Sequence, residues 1–223
     1  MKREWVVTKD GSPSLFVPDL NQNYHSHHGA LQESRHVFIE AGLKQFSSQA
    51  EVSILEIGFG TGLNALLSHF EKAKFEQDIH YHSLEKYPLE KDEWQSIQWP
   101  TLFDSKPEYQ LFYRALHQAP WELETALSPN FKLVKNNCDL KDFNPVHNRY
   151  DLIYFDAFSP EAQPKLWSEA IFKKMQLALK PGGYLVSYCV KGSVRRAMKA
   201  AGLEVAKIPG PPGKREMARA LKP

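Results

Sequence analysis

A chain of 223 residues, 42% of them hydrophobic, is long enough to bury one sizeable core and leaves little room for a second. Its net charge of +2 carries no overall nucleic-acid signature, and its two cysteines, Cys138 and Cys189, form neither a disulfide framework nor a zinc spacing. With no apolar leader and no run long enough to span a bilayer, a soluble, cytoplasmic protein with no membrane partner is expected.

In chain order, Val6-Val7-Thr8 and Leu15-Phe16-Val17 around Asp10-Gly11 predict a small hairpin. Leu31, Val37, Phe38 and Ala41 share one face of a helix expected over 31–43. Val52–Ile57 is a β-rich run ended by Gly58-Phe59-Gly60-Thr61-Gly62, and a helix over 63–72 follows. Strands are expected at 79–84, 131–135, 150–155 and 184–190; the third of these is nearly all apolar, as a strand buried on both faces should be. Helices are expected at 170–179, stopped by Pro181-Gly182-Gly183, and at 194–201, capped by Gly202. Leu203–Ile208 and Met217–Leu221 read as a closing pair. This alternation predicts an α/β, Rossmann-like fold with a mainly parallel sheet. The expected organisation is a single domain, 1–223, with an N-terminal extension (1–45) and a helical insertion (87–130). The insertion is rich in aromatics: Trp94, Trp99, Phe103, Tyr109, Phe112, Tyr113 and Trp121. They read either as packing of an extra helical layer or as a cap over a binding crevice.

The chemistry concentrates at strand ends. Gly58, Gly60 and Gly62 let a strand turn sharply into a helix and let a ligand lie on bare backbone. Their G-x-G-x-G spacing is not the G-x-G-x-x-G of a dinucleotide site. It suits S-adenosylmethionine, which has no phosphate, and Glu56 just before the glycines suits that ligand's positive charge. A tight turn without a ligand is the alternative. Glu85, at the end of the second strand, can accept both ribose hydroxyls, or pair with neighbouring Lys86. Asp139, followed by Leu140, can accept the adenine amino group, or serve as a turn aspartate. Asp156, in Asp156-Ala157-Phe158-Ser159-Pro160, can hold an amine N–H and aim its lone pair at a methyl group, with Phe158 placed to stack on a base. Otherwise Asp156 caps a turn. Open α/β sheets bind ligands at these carboxyl ends.

These stretches resemble the methyltransferase half of the bifunctional tRNA 5-methylaminomethyl-2-thiouridine biosynthesis proteins. The resemblance extends over Gly29–Phe38, Ile57–Asn64, Glu85–Leu89, Asp156–Pro160 with Pro164 and Trp167, Pro181–Gly183, Val194–Arg196 and Gly213–Met217. It implies N-methylation of 5-aminomethyl(-2-thio)uridine at the tRNA wobble position. Asp156 would be catalytic, and Glu56, Gly58, Phe59, Gly60, Gly62, Asn64, Glu85, Lys86, Asp139 and Leu140 would hold S-adenosylmethionine. The family's FAD-dependent oxidase half has no counterpart in the sequence. No FAD is therefore expected, and the aminomethyl precursor must come from other enzymes.

The partner implied is the tRNA anticodon region. Arg195, Arg196, Lys214 and Arg215 are candidate phosphate contacts, and Tyr24 and Phe158 candidate substrate contacts. The histidines in Asn23-Tyr24-His25-Ser26-His27-His28 lack a metal spacing, so no metal is expected and a loop closing over the site is. Rival readings are a small-amine methyltransferase or an aminopropyltransferase of the same fold, and a non-catalytic tRNA-binding module.

Overall fold

The computed structural model describes residues 1–72, 76–97, 99 and 107–223. Its centre is an eight-stranded sheet. In chain order the strands are β4 (Glu51–Ile57), β5 (Asp78–Glu85), β6 (Thr125–Ser128), β7 (Phe131–Asn137), β8 (Tyr150–Phe155), β9 (Leu179–Ser187), β10 (Glu204–Pro209) and β11 (Glu216–Leu221). They lie in the order β10-β11-β9-β8-β4-β5-β7-β6. The inner five, β9 to β7, run parallel; β11 is antiparallel to both β9 and β10, so β10 runs with the inner five, and β6 is antiparallel to β7.

Burial on both faces explains the apolar runs. All six residues of β8 are buried. Side chains alternate along a strand, so Ile54, Leu152, Tyr154 and Val186 join one core, and Leu55, Ile153, Phe155 and Leu185 the other. The first core is covered by α1 (Ala30–Ser34), α2 (Leu63–Lys72) and α4 (Pro107–Gln118). The second is covered by α5 (Glu169–Ala178) and α6 (Gly192–Ala200). The hairpin at Asp10-Gly11 forms from β1 (Glu4–Val7) and β2 (Pro13–Val17), and β3 (Gln22–Asn23) extends it to three strands.

Three expectations change in detail. The helix expected over 31–43 is α1 followed by a π-helical stretch, Arg35–Glu40, in which the Ala41 N–H donates to His36 O. Pro181-Gly182-Gly183 does not precede the fifth strand but lies within β9. Gly182 N–H donates to Lys222 O, and a Cβ on Gly183 would sit 2.8 Å from Asp151 O, so only glycine fits this approach of two strands. The segment 87–130 holds α3 (Lys91–Gln95) and α4 but also β6, an antiparallel edge strand that the aromatic-rich composition hid.

The aromatics of that segment pack inward. Trp94 stacks on His117, Tyr109 on Phe70, and Trp99 is fully buried. Phe103 lies outside the described residues. Buried Lys135 on β7 donates to Leu116 O and His117 O, the free carbonyls at the end of α4, with its ammonium over the Phe59 and Trp121 rings. Desolvation lowers its pKa to about 8.

Asp151 ties three central strands. Its carboxylate accepts Ser53 N–H of β4 at 2.8 Å and both oxygens take Lys180 of β9, at 2.9 and 2.8 Å. Asp151→Ala leaves a strand N–H without its acceptor. We expect a loss of roughly 1.5–3 kcal/mol in urea unfolding; a change within experimental error would show the clamp to be dispensable.

Candidate active site

Chain order sets the crevice. From β4 the chain passes to β5 on one side, and later returns as β8 on the other. Connections leaving in opposite directions open a cleft at the carboxyl ends of β4 and β8. A cavity of about 720 Å³ lies there, walled by the glycine turn, by the segments after β5, β7 and β8, and by residues 21–28.

The turn is shaped by backbone contacts. Gly58 has φ of 95°, donates to Leu84 O at 2.9 Å, and would place a Cβ 2.9 Å from Asp156 O. No side chain fits between these strand ends. At the end of β5, the Glu85 carboxylate accepts Gly60 N–H at 3.0 Å and Tyr87 N–H at 2.7 Å. Its direction is thereby fixed along the cavity wall. Beyond β7, Asp139 accepts Lys141 N–H at 3.0 Å and pairs with Lys86 and Lys141. Burial pushes its pKa upward, but these bonds and cations outweigh it and hold Asp139 at about 2. Buried Leu140 supplies an apolar patch beside it.

The other end of the cavity is built around Asp156. Asn64, in the first turn of α2, donates to Asp156 Oδ2 at 2.9 Å. Burial raises the Asp156 carboxyl to about 7, with nearby Glu33 also raising it and the Asn64 bond and Lys214 opposing. Lys214 pairs with Glu33, and its ammonium lies 4.3 Å from the centre of the Tyr188 ring. Tyr24 and Phe158 meet edge-to-face across the opening, with ring centres 5.2 Å apart. Arg3 donates to the Tyr24 hydroxyl at 2.9 Å and pairs with Glu93, holding that wall in place.

Of the residues singled out from the sequence, the cavity brings together Tyr24, Gly58, Phe59, Gly60, Asn64, Glu85, Lys86, Asp139, Leu140, Asp156, Phe158 and Lys214. Gly62 turns away toward His117 and the Phe59 ring. Glu56 does not reach the cavity either. It alternates onto the face of Ile54, under α2, where it is fully buried and accepts the Ser83 hydroxyl at 2.7 Å. Arg195, Arg196 and Arg215 are not on the cavity wall; Arg195 donates to Val190 O.

Lys214, a candidate phosphate contact, is folded back into the cavity wall, where it pairs with Glu33. Glu216 pairs with Lys207. Glu33, Tyr188 and His25 were not assigned from sequence. Glu33 lies in a motif whose partner, Lys214, is 181 positions away. His25 is neutral, its pKa lowered by burial to about 4, and bridges the Ser14 and Thr61 hydroxyls. It fastens the N-terminal sheet to the glycine turn, so this part of the expected closing loop is pinned in place.

Residues 113–223 match a family described as S-adenosyl-L-methionine-dependent methyltransferase. The chain is 31% identical, over 96% of its length, to the tRNA 5-methylaminomethyl-2-thiouridine biosynthesis bifunctional proteins MnmC of Aromatoleum aromaticum and Chromobacterium violaceum. Similarity to the S-adenosyl-L-methionine-dependent methyltransferase family thus covers the C-terminal part of the chain, and similarity to the MnmC proteins nearly all of it. The chain spans 34% of the length of each of those two relatives. A crystal structure of MNMC2 from Aquifex aeolicus superposes over 99% of this chain and 70% of that one, with a TM-score of 0.83 at 24% identity, and so shares its fold. Among the described residues no helix of this chain is long and apolar enough to cross a membrane.

Burial of Glu56 has a consequence for stability. Desolvation raises its carboxyl to about 8, against about 4.3 in an unfolded chain. The folded state therefore keeps a proton that the unfolded state releases. Stability from this group is full at low pH and is lost as pH rises through about 8. Glu56→Gln mimics the protonated form, so its melting temperature should fall less between about pH 6 and about pH 9 than that of the parent protein. Equal losses by calorimetry would show that Glu56 is ionised in the folded state.

Proposed function

We propose that this chain methylates the exocyclic amine of 5-aminomethyl(-2-thio)uridine at the wobble position of tRNA. The observation that carries the reading is Asp156, a carboxyl with a raised pKa at the end of β8, in the same cavity as the glycine turn. The activity named for the MnmC relatives supports the substrate.

Gly58, Phe59 and Gly60 would carry the cofactor against bare backbone, with Glu85 toward the ribose and Asp139 and Leu140 toward the adenine. Bound there, S-adenosylmethionine supplies an electrophilic methyl group on a sulfonium.

The protein's own task is to present a neutral amine. A primary alkylamine is mostly an ammonium near neutral pH, with its lone pair blocked. The Asp156 carboxylate accepts one proton from that ammonium, giving a carboxylic acid and a free amine. A group titrating near the working pH suits both giving and taking that proton. The Ala157 and Phe158 carbonyls beside it accept the Tyr188 hydroxyl and the Trp167 indole N–H, both at distances under 3 Å. These bonds hold the strand end rigid. Phe158 and Tyr24 offer ring faces and edges for a uracil. A tRNA substrate also implies work in the cytoplasm, supplied by enzymes that make the aminomethyluridine.

The purified chain should add one methyl group to tRNA from cells that lack this modification, as read by nucleoside mass spectrometry. Asp156→Ala should lower turnover by about 10²–10⁴-fold, and Asp156→Asn by less. Methylation of free polyamines with no activity on tRNA would reject the substrate.

Phosphate contacts fall to the exposed cations. Arg196→Ala combined with Arg215→Ala should raise the Michaelis constant for tRNA and lower the salt slope of binding by about one unit per contact. Lys214→Ala should leave that slope unchanged, because the side chain faces the cavity. A reduced slope for Lys214→Ala alone would return that lysine to the RNA surface.

A further inference from the structure

A carboxylate that takes a proton from an amine must offer one oxygen in a fixed direction, since rotation about its last bond is otherwise soft. Asp156 Oδ2 is occupied by the Asn64 amide at 2.9 Å, whereas Oδ1 takes no hydrogen bond from the described residues. Asn64 is itself only 4% exposed. Its backbone carbonyl accepts the Ser68 hydroxyl at 2.8 Å, and that hydroxyl meets the Tyr154 hydroxyl at 3.1 Å. The backbone that carries the amide is thus tied through α2 to the central strand β8, while the buried side-chain Oδ1 of Asn64 takes no hydrogen bond from the described residues.

Behind Asn64 lies a second buried carboxyl, Glu56. Ser83 donates to its Oε2, Asn64 and Tyr81 lie beside it, its buried Oε1 takes no hydrogen bond from the described residues, and it faces Asp156 electrostatically. Asn64 therefore stands between two acids on adjacent parallel strands, whose register pairs Glu56 with Tyr154, two residues before Asp156. The other groups facing Asp156 are Glu33 from α1, Lys214 from the loop after β10, and the Tyr188 and Tyr81 hydroxyls.

We propose that Asn64 is the positioning residue of the acceptor site: its amide pins Asp156 Oδ2 and turns Oδ1 alone toward the incoming amine, with Glu56 backing the amide from behind. This rests on the reading of Asp156 as the residue that holds the amine. The role is distinct from the direct cofactor contact expected of Asn64 from the sequence. Donation by Asn64 favours the charged form of Asp156, so removing it must raise the pH at which Asp156 ionises.

The test reads Asp156 directly, by ¹³C-carboxyl NMR of the protein without cofactor or tRNA, its resonance assigned by its loss in Asp156→Asn. In Asn64→Ala the Asp156 titration should move to higher pH. In Asn64→Asp, which keeps the shape but adds a like charge, it should move further. With tRNA, the acid limb of the kcat profile should move in the same direction, and kcat on its plateau should fall by about 10- to 100-fold.

A titration of Asp156 that stays in place in both variants overturns the proposal. So does a loss of S-adenosylmethionine affinity in Asn64→Ala, by calorimetry, with the titration unmoved, because Asn64 then serves the cofactor. A shifted titration in a protein that methylates no tRNA supports the positioning role and rejects the substrate instead.

Discussion

Where β4 ends, Gly58 turns so tightly that a Cβ on it would meet the backbone carbonyl of Asp156, while its N–H reaches Leu84 O. Three parallel strands are locked at that point, and every wall of the cavity is measured from it. A side chain at 58 would push β4 away from β8 and part the glycine turn from the carboxyl at the end of β8. Glu85 follows from the same contact, since its carboxylate binds the Gly60 amide and so holds the second half of the turn.

Around this lock the charges are arranged by how well they are satisfied. Asp139 is near solvent, with two lysines and a backbone N–H, and stays ionised far below neutrality. Asp156, only partly countered by Lys214, and Glu56 are pushed up toward neutrality by burial. Asp139 and Asp156, at the ends of β7 and β8 of one sheet, thus have opposite characters, one a permanent anion and one able to exchange a proton at working pH. That contrast suits a site in which one end recognises and the other reacts.

The N-terminal sheet is more than an appendage. His25 fastens it to Thr61, and Arg3 reaches across to Glu93 and the Tyr87 carbonyl. Residues 21–28 thereby close one side of the cavity, a position that the aromatic-rich segment 87–130 had seemed equally suited to by composition. Tyr109 and Phe112 of that segment bury instead against α2 and β7, because large rings gain more from a dry core than from lining a wet cleft.

Local chemistry carried much of this in the sequence. Gly58 and Gly60 marked the turn, the all-apolar run at 150–155 marked the central strand, and Glu85, Asp139 and Asp156 marked the strand ends, because backbone freedom and burial on two faces leave traces within a few residues. Lys214 and Glu56 show where that stops. Glu56 is one residue from Ile57, yet strand alternation sends it under α2 instead of into the cavity. Lys214 belongs to a basic stretch by composition, but Glu33 and the Tyr188 ring draw it inward from distant parts of the chain. Likewise only the packed structure joins Asn64 to Asp156 across 92 positions. Which strand ends bear acids was written in the sequence. Which acids stay charged, and which side chains aim them, was decided by tertiary packing, because desolvation and pairing depend on neighbours in space.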